Sequence, residues 1–214
     1  MPDLLREAAL AARLGIAPAR IAGLDEVGRG PLAGPVAAGA VAWVVVPPPA
    51  LAALIDDSKK LRAPARARAA RAILAHADVA VGFASVAEID SLGILPATWT
   101  AMRRALDRLE GRPAAALVDG NLAPPLGLPV ETLVKGDTLS LSIAAASIVA
   151  KVARDRLMVA LDARHPGYGW AANAGYGTAR HRAAIHELGI SSEHRRSFDP
   201  VRGLLRKPLS REDS

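Results

Sequence analysis

Two spacings of apolar residues run along this chain of 214 residues. Residues 3–14 repeat apolar positions at helical spacing, with Asp3, Arg6, Glu7 and Arg13 between them. That pattern predicts an amphipathic helix rather than a signal peptide. Ile21 to Asp25 reads as a short strand, and the β-branched run Val36 to Val46 as a second. Pro47, Pro48 and Pro49 form a loop. Ala63 to His76 has helix formers throughout, with Pro64 tolerated in the first turn. Val79 to Val86 alternates like a strand, and Ala97 to Glu110 is an amphipathic helix closed by Gly111. Ala115 to Val118 reads as a buried strand with Asp119 at its C-terminal tip. Leu139 to Ala163 is a long helix; Thr178 to Leu188 is another, closed by Gly189. The tail after Asp199 is basic and expected to be loosely held. Strands followed by helices predict an α/β layered domain and then a helical C-terminal part.

A chain of this length buries one good core. Hydrophobic content is 51% but aromatic content only 3%, so alanine and branched aliphatics must build that core. The absence of cysteine excludes disulfides, thiolate zinc sites and thiol catalysis, and it fits a reducing compartment. No apolar run reaches the length of a bilayer span. The net charge of +6 favours a polyanionic partner. The competing reading is a genome rich in arginine and alanine, which would make a basic chain without any nucleic acid. The five lysines discriminate better than the 22 arginines, because Lys59, Lys60, Lys135 and Lys151 all fall inside the motifs below.

Asp25 and Asp119 share a context: each ends a short apolar strand and precedes a glycine-containing turn. Acids at strand ends can converge on one edge of a sheet. Asp137, in Val134-Lys-Gly-Asp-Thr138, and Glu26 complete a set of four candidate carboxylates. Such a set suits Mg²⁺ or Mn²⁺. Two such ions about 4 Å apart can activate water and stabilise a leaving oxygen in phosphodiester cleavage. Each acid also has a plainer reading. Asp137 could cap the following helix, and Asp119 before Gly120-Asn121 could form a turn. Asp56 and Asp57 read as residues that orient the Ser58-Lys59-Lys60 loop.

After Gly28-Arg29-Gly30 the next glycine is Gly34, one position late for a dinucleotide fingerprint, and Pro35 and a β-branched run follow rather than a helix, so this is a turn between strands. Its freed backbone can approach a phosphate or a ribose hydroxyl. Ser58, Lys59 and Lys60 offer a hydroxyl and two ammonium groups to a phosphate, although a solvated loop is the commoner use of such residues. Ser147 and Lys151 lie four apart on one face of the long helix, as candidate substrate contacts. Tyr176, flanked by Gly175 and Gly177, could stack on a sugar or base. The five histidines form no zinc pattern.

In order along the chain, these motifs resemble the type 2 ribonuclease H (ribonuclease HII) family. The resemblance is carried by Asp25-Glu-Val-Gly-Arg-Gly-Pro-Leu-Ala-Gly-Pro35, Asp57-Ser-Lys-Lys-Leu61, Val118-Asp-Gly-Asn121, Val134-Lys-Gly-Asp137, Ala144-Ala-Ala-Ser-Ile-Val-Ala-Lys151 and His194-Arg-Arg-Ser-Phe198. It implies an α/β, RNase H-like core with a mixed central sheet flanked by helices, plus a smaller helical C-terminal region. The expected boundaries are an N-terminal extension over 1–20, a core over 21–165, a helical region over 166–200 and a flexible basic tail over 201–214. The implied activity is endonucleolytic cleavage of RNA in RNA/DNA hybrids and incision 5′ of single ribonucleotides in duplex DNA, a step in ribonucleotide excision repair. Asp25, Glu26, Asp119 and Asp137 match the family's metal ligands. The Gly28–Gly30 turn matches its reader of the 2′-hydroxyl, and Tyr176 its stacking tyrosine. Ala174 and Gly177 stand where the family often has lysine and proline beside that tyrosine. A cytoplasmic monomer that uses Mn²⁺ or Mg²⁺, with no membrane association, is expected. The alternatives are a nuclease of the same core that cuts all-DNA strands, and a non-catalytic nucleic-acid binder.

Overall fold

The computed structural model describes residues 1–55 and 61–206. Helix α1 (Leu5–Leu14) leads into strand β1 (Ile21–Val27), which turns back as β2 (Val36–Ala42). A short helix α2 (Pro49–Ala52), α3 (Ala63–Leu74) and β3 (Asp78–Ala84) follow. Then come α4 (Val86–Leu92), α5 (Ile94–Leu106), β4 (Ala115–Asp119) and β5 (Val130–Leu133). The long helix α6 (Leu141–Arg164) hands over to α7 (Trp170–Asn173), α8 (Ala179–Leu188) and α9 (Val201–Arg206).

The five strands form one mixed sheet in the order β3-β2-β1-β4-β5. The first three are antiparallel neighbours, while β4 and β5 run parallel to β1. One face buries Leu24, Ala38, Ala40 and Val118 against Ala97, Ala101 and Met102 of α5. The other face packs under α6 and α3 through Val41, Ile73, Ala144 and Ile148, and through Ile21, Leu117 and Ile143 beside α1. The scarcity of aromatic residues has a structural use here. A Cβ on Gly23 would lie 2.3 Å from the Ser142 backbone, and one on Gly39 would lie 2.3 Å from the Ala146 carbonyl, so α6 rests directly on the sheet backbone.

Several elements depart from the sequence reading. The run Val36 to Val46 pairs only as far as Ala42, where both neighbouring strands stop pairing with it; Val44, Val45 and Val46 are therefore exposed. Helix α5 begins earlier and ends at Leu106, well short of Gly111. Strand β5 and helices α2, α4, α7 and α9 were not expected from periodicity. Helix α4 nevertheless carries a full capping box, Ser85 with Glu88. The segment read as a flexible tail from residue 201 starts as α9, anchored by a fully buried Val201. Val201 joins Leu32, Met158, Leu161 and Trp170 in a separate apolar cluster, so the C-terminal helices are built onto the far end of α6 and the β1–β2 turn.

Candidate active site

The candidate acids are placed by strand pairing. Leu24 stands opposite Val118 in the parallel β1–β4 pair. Asp25 and Asp119 come next after this last pair on each strand, and the Asp119 charge acts on Asp25. Alternation along β1 sends Glu26 to the face opposite Asp25. There it lines a cleft with Arg29, Trp99 and Met102, which Asp119 also borders at the strand end. Asp25 faces α6 instead and is nearly fully buried. Asp137 lies in a 3₁₀ turn over Gly136–Thr138 and is also buried. It does not cap α6: that position belongs to Ser140, whose side chain accepts from the Ile143 N–H. The Asp137 turn is tied to Asp119, because the Gly136 N–H donates to Asp119 Oδ1 at 2.6 Å.

The electrostatics of this cluster are costly. Burial pushes the Asp25 carboxyl well above the usual carboxylate range, the Glu26 charge raises it further, and Asp119 adds to both. A hydrogen bond from Ser147 on α6 partly offsets this. Burial raises Glu26 as well, opposed by Arg29, whose guanidinium lies 3.4 Å from Glu26 Oε1. Among the described residues, no three Asp, Glu, His or Cys side chains already converge on one cation position. The reason is local. Asp25 Oδ1 accepts from the Glu26 N–H at 2.7 Å, Glu26 turns to Arg29, and Asp119 turns to Gly136. The donor set is nonetheless all carboxylate oxygen at a strained concentration of negative charge. Both properties suit a hard divalent cation.

The turn over Gly28–Gly30 lies beside these acids. Gly28 has φ +90°, and any Cβ there would lie 2.1 Å from Arg154 Nε. Gly30 has ordinary φ, and its missing Cβ would meet only the Tyr176 ring, at 3.7 Å. Tyr176 is 45% exposed, so turn and ring share one accessible surface. Ser147 and Lys151, expected together on substrate, are otherwise engaged: Ser147 is buried on Asp25, and Lys151 Nζ bonds Asp155 Oδ1 at 2.7 Å. Ser58, Lys59 and Lys60 lie outside the described residues, as do Asp56 and Asp57.

Two groups were not legible as site components. Arg154 and Arg195 are fully buried and spend their donors on backbone carbonyls around the turn. Behind them, Ser191 N–H donates to His194 Nδ1 at 2.9 Å, His194 Nε2 meets His181 Nε2 at 3.1 Å, and His181 Nδ1 reaches the Tyr176 carbonyl at 2.9 Å. Trp170 Nε1–H also donates to His181 Nε2. With a backbone donor at one end and a carbonyl acceptor at the other, both rings must be neutral, His194 protonated on Nε2 and His181 on Nδ1. The only sequence signal was the string His194-Arg-Arg-Ser-Phe198, which has no periodicity to interpret.

Comparison with known proteins gives a concordant picture. The family model described as Ribonuclease HII matches residues 22–201. Ribonuclease HII of Rhodospirillum rubrum is 56% identical over 208 residues, covering 96% of this chain and 92% of that protein. That of Gluconobacter oxydans is 52% identical over 207 residues, covering 96% and 97%. The crystal structure of ribonuclease H2 from Pyrococcus horikoshii OT3 superposes with a TM-score of 0.74 at 26% identity, covering 86% of this chain and 96% of that one. The chain therefore belongs to the ribonuclease HII family, the endoribonucleases that act on RNA/DNA hybrids.

Proposed function

We propose that this protein, beyond cleaving the RNA strand of hybrids, incises duplex DNA 5′ of a single embedded ribonucleotide in a divalent-metal-dependent reaction that leaves a 3′-hydroxyl and a 5′-phosphate. The observation that carries this reading is the juxtaposition of the Asp25–Asp119 pair with a glycine turn and an exposed tyrosine. Asp25, Glu26, Asp119 and Asp137 would hold Mn²⁺ or Mg²⁺. When bound, such ions supply an activated water and charge neutralisation at the leaving oxygen. The chain's own residues supply the rest. The strand ends fix where the scissile phosphate must lie. The backbone of Gly28–Gly30 reads the 2′-hydroxyl, and the Tyr176 ring stacks beside the RNA–DNA junction. Negative carboxylates repel phosphates, so this site serves poorly as a metal-free binding surface. None of the described helices is long and apolar enough to cross a membrane.

The test is an incision assay on a duplex with one ribonucleotide beside an all-DNA control, with Mg²⁺ or Mn²⁺ and end-mapped products. Cutting only 5′ of the ribonucleotide is expected. Cutting of the control would favour a DNA nuclease on the same core, and binding without cutting would favour a non-catalytic role.

A further inference from the structure

The turn over Gly28–Pro35 contains three glycines and two prolines and has little side-chain mass to hold its shape. Its carbonyls are held instead. Arg195 donates from Nη2 to the Gly28 carbonyl at 2.6 Å, from Nη1 to Arg29 at 2.8 Å and from Nε to Gly34 at 3.0 Å. Arg154, on α6, donates to the carbonyls of Ala33 at 3.2 Å, Pro35 at 2.9 Å and Ala174 at 2.9 Å. Five consecutive or near-consecutive carbonyls of one turn are thus gripped from inside, and the sixth bond ties in the loop that carries Tyr176.

Both guanidiniums are fully buried, and among the described residues neither makes an ion pair. Burying two neighbouring cations without a carboxylate is expensive, and fold stability alone would be served as well by apolar residues. The geometry shows what the arrangement achieves. Peptide units are planar and trans, so a carbonyl held inward points the next N–H outward. Fixing the Gly28 and Arg29 carbonyls therefore aims the Arg29 and Gly30 N–H groups at the surface shared with Tyr176. A planar fork can hold two successive carbonyls in fixed directions; an ammonium group cannot. The same helix face carries Ser147 against Asp25 two turns earlier, so the turn is indexed to the acids through α6.

We propose that Arg195, backed by Arg154, is the positioning residue that gives the Gly28–Gly30 turn its ribose-reading shape. The inference rests on the proposed role of that turn as reader of the 2′-hydroxyl. It predicts that specificity is lost before general duplex affinity when the fork is replaced by a point charge.

The experiment compares Arg195→Lys with wild type and with Ile73→Val, which loosens the core between α3 and the sheet, a cluster that contains no residue of the turn. Dissociation constants are measured in Ca²⁺ for a duplex with one ribonucleotide and for the all-DNA duplex, and kcat and KM are measured on the former. Arg195→Lys should shrink the ratio of the two dissociation constants by about tenfold, roughly one charge-assisted hydrogen bond of orientation, with all-DNA affinity unchanged. Ile73→Val should leave the ratio intact. Equal changes on both duplexes, or an unchanged ratio, would overturn the proposal. Should Arg195→Lys fail to fold, Phe198→Leu provides the reading. It removes the ring that lies 5.0 Å from the Arg195 guanidinium while keeping an apolar side chain against the two core clusters that Phe198 adjoins, and it should shift the ratio in the same direction by less; no shift would overturn the proposal. Gly30→Ala separates this failure from that of the parent reading. If Gly30→Ala abolishes ribose preference while Arg195→Lys does not, the turn reads ribose without the fork. If wild type shows no ribose preference, the parent reading itself falls.

Discussion

In the proposed mechanism the Ser147 hydroxyl tunes a reaction that it does not enter. Its bond to Asp25 opposes burial and two neighbouring carboxylates, all of which push that carboxyl upward. Removing the bond in Ser147→Ala should therefore raise the Asp25 pKa further. Asp25 must be ionised to hold a cation, so the acidic limb of the kcat/KM profile should move to higher pH while the plateau is largely kept. A pH profile with Mg²⁺ at saturation checks this; an unmoved limb with a lower plateau would place Ser147 on substrate instead. The adjacency of Asp25 and Glu26 marked both as unusual in the sequence. Adjacency in a strand also means opposite faces, and only the register of β1 against β4 shows that Asp25 has Asp119 beside it. The plainer reading of Asp137, as the cap of α6, is excluded because Ser140 occupies that position.

At the scale of elements, what could be read was what periodicity reports. Helices α1, α3 and α8 and strand β3 were legible because each has an apolar face, while β1, β4 and α6 were legible as near-continuous apolar runs, being buried on more than one side. Strand β5 is four residues long and only partly buried, and it is defined by its partner β4 rather than by its own pattern. The α7–α8 region owes its shape to polar bonds, which leave no period. Its histidines make a testable claim. Burial, with neighbouring His181 and His165, lowers His194 from 6.5 to about 4, and His181 is lowered as well. The folded state therefore binds fewer protons than the unfolded chain between these values. The contribution is fully present above about pH 6.5 and is lost as pH falls towards 4, by roughly 3 kcal/mol at most for His194. Protonation would also set a proton on Nδ1 against the Ser191 N–H. Asp25 and Glu26 act in the opposite direction, since their raised values favour the fold as pH falls. Melts of wild type and His194→Asn between pH 7 and 4 isolate the histidine: the wild type should lose stability more steeply. Parallel curves would remove the neutral pair from the account.

Seen as a whole, the molecule hangs its candidate chemistry on the two adjoining inner strands β1 and β4 and on one helix. The sheet brings Asp25, inside β1, beside Asp119, the last residue of β4. Helix α6 crosses from the Asp25 contact at Ser147 to the turn contact at Arg154, then into the cluster that seats the Tyr176 loop. Acids, glycine turn and exposed tyrosine are thereby held in one frame, which suits the proposed reaction, one that must recognise a sugar and cut beside it. The family and the core architecture were legible because their motifs are local strings. The frame was not, because it is made of contacts between residues more than a hundred positions apart, such as Arg195 with Gly28. The claim that the whole arrangement exists to cut through the Asp25–Asp119 pair is tested most directly by Asp25→Asn and Asp119→Asn on a duplex with one ribonucleotide. Cleavage is followed across a Mg²⁺ titration, with duplex binding measured in parallel. The account predicts that neither variant cleaves at any Mg²⁺ concentration while both still bind the duplex; near-normal turnover by either one would contradict it.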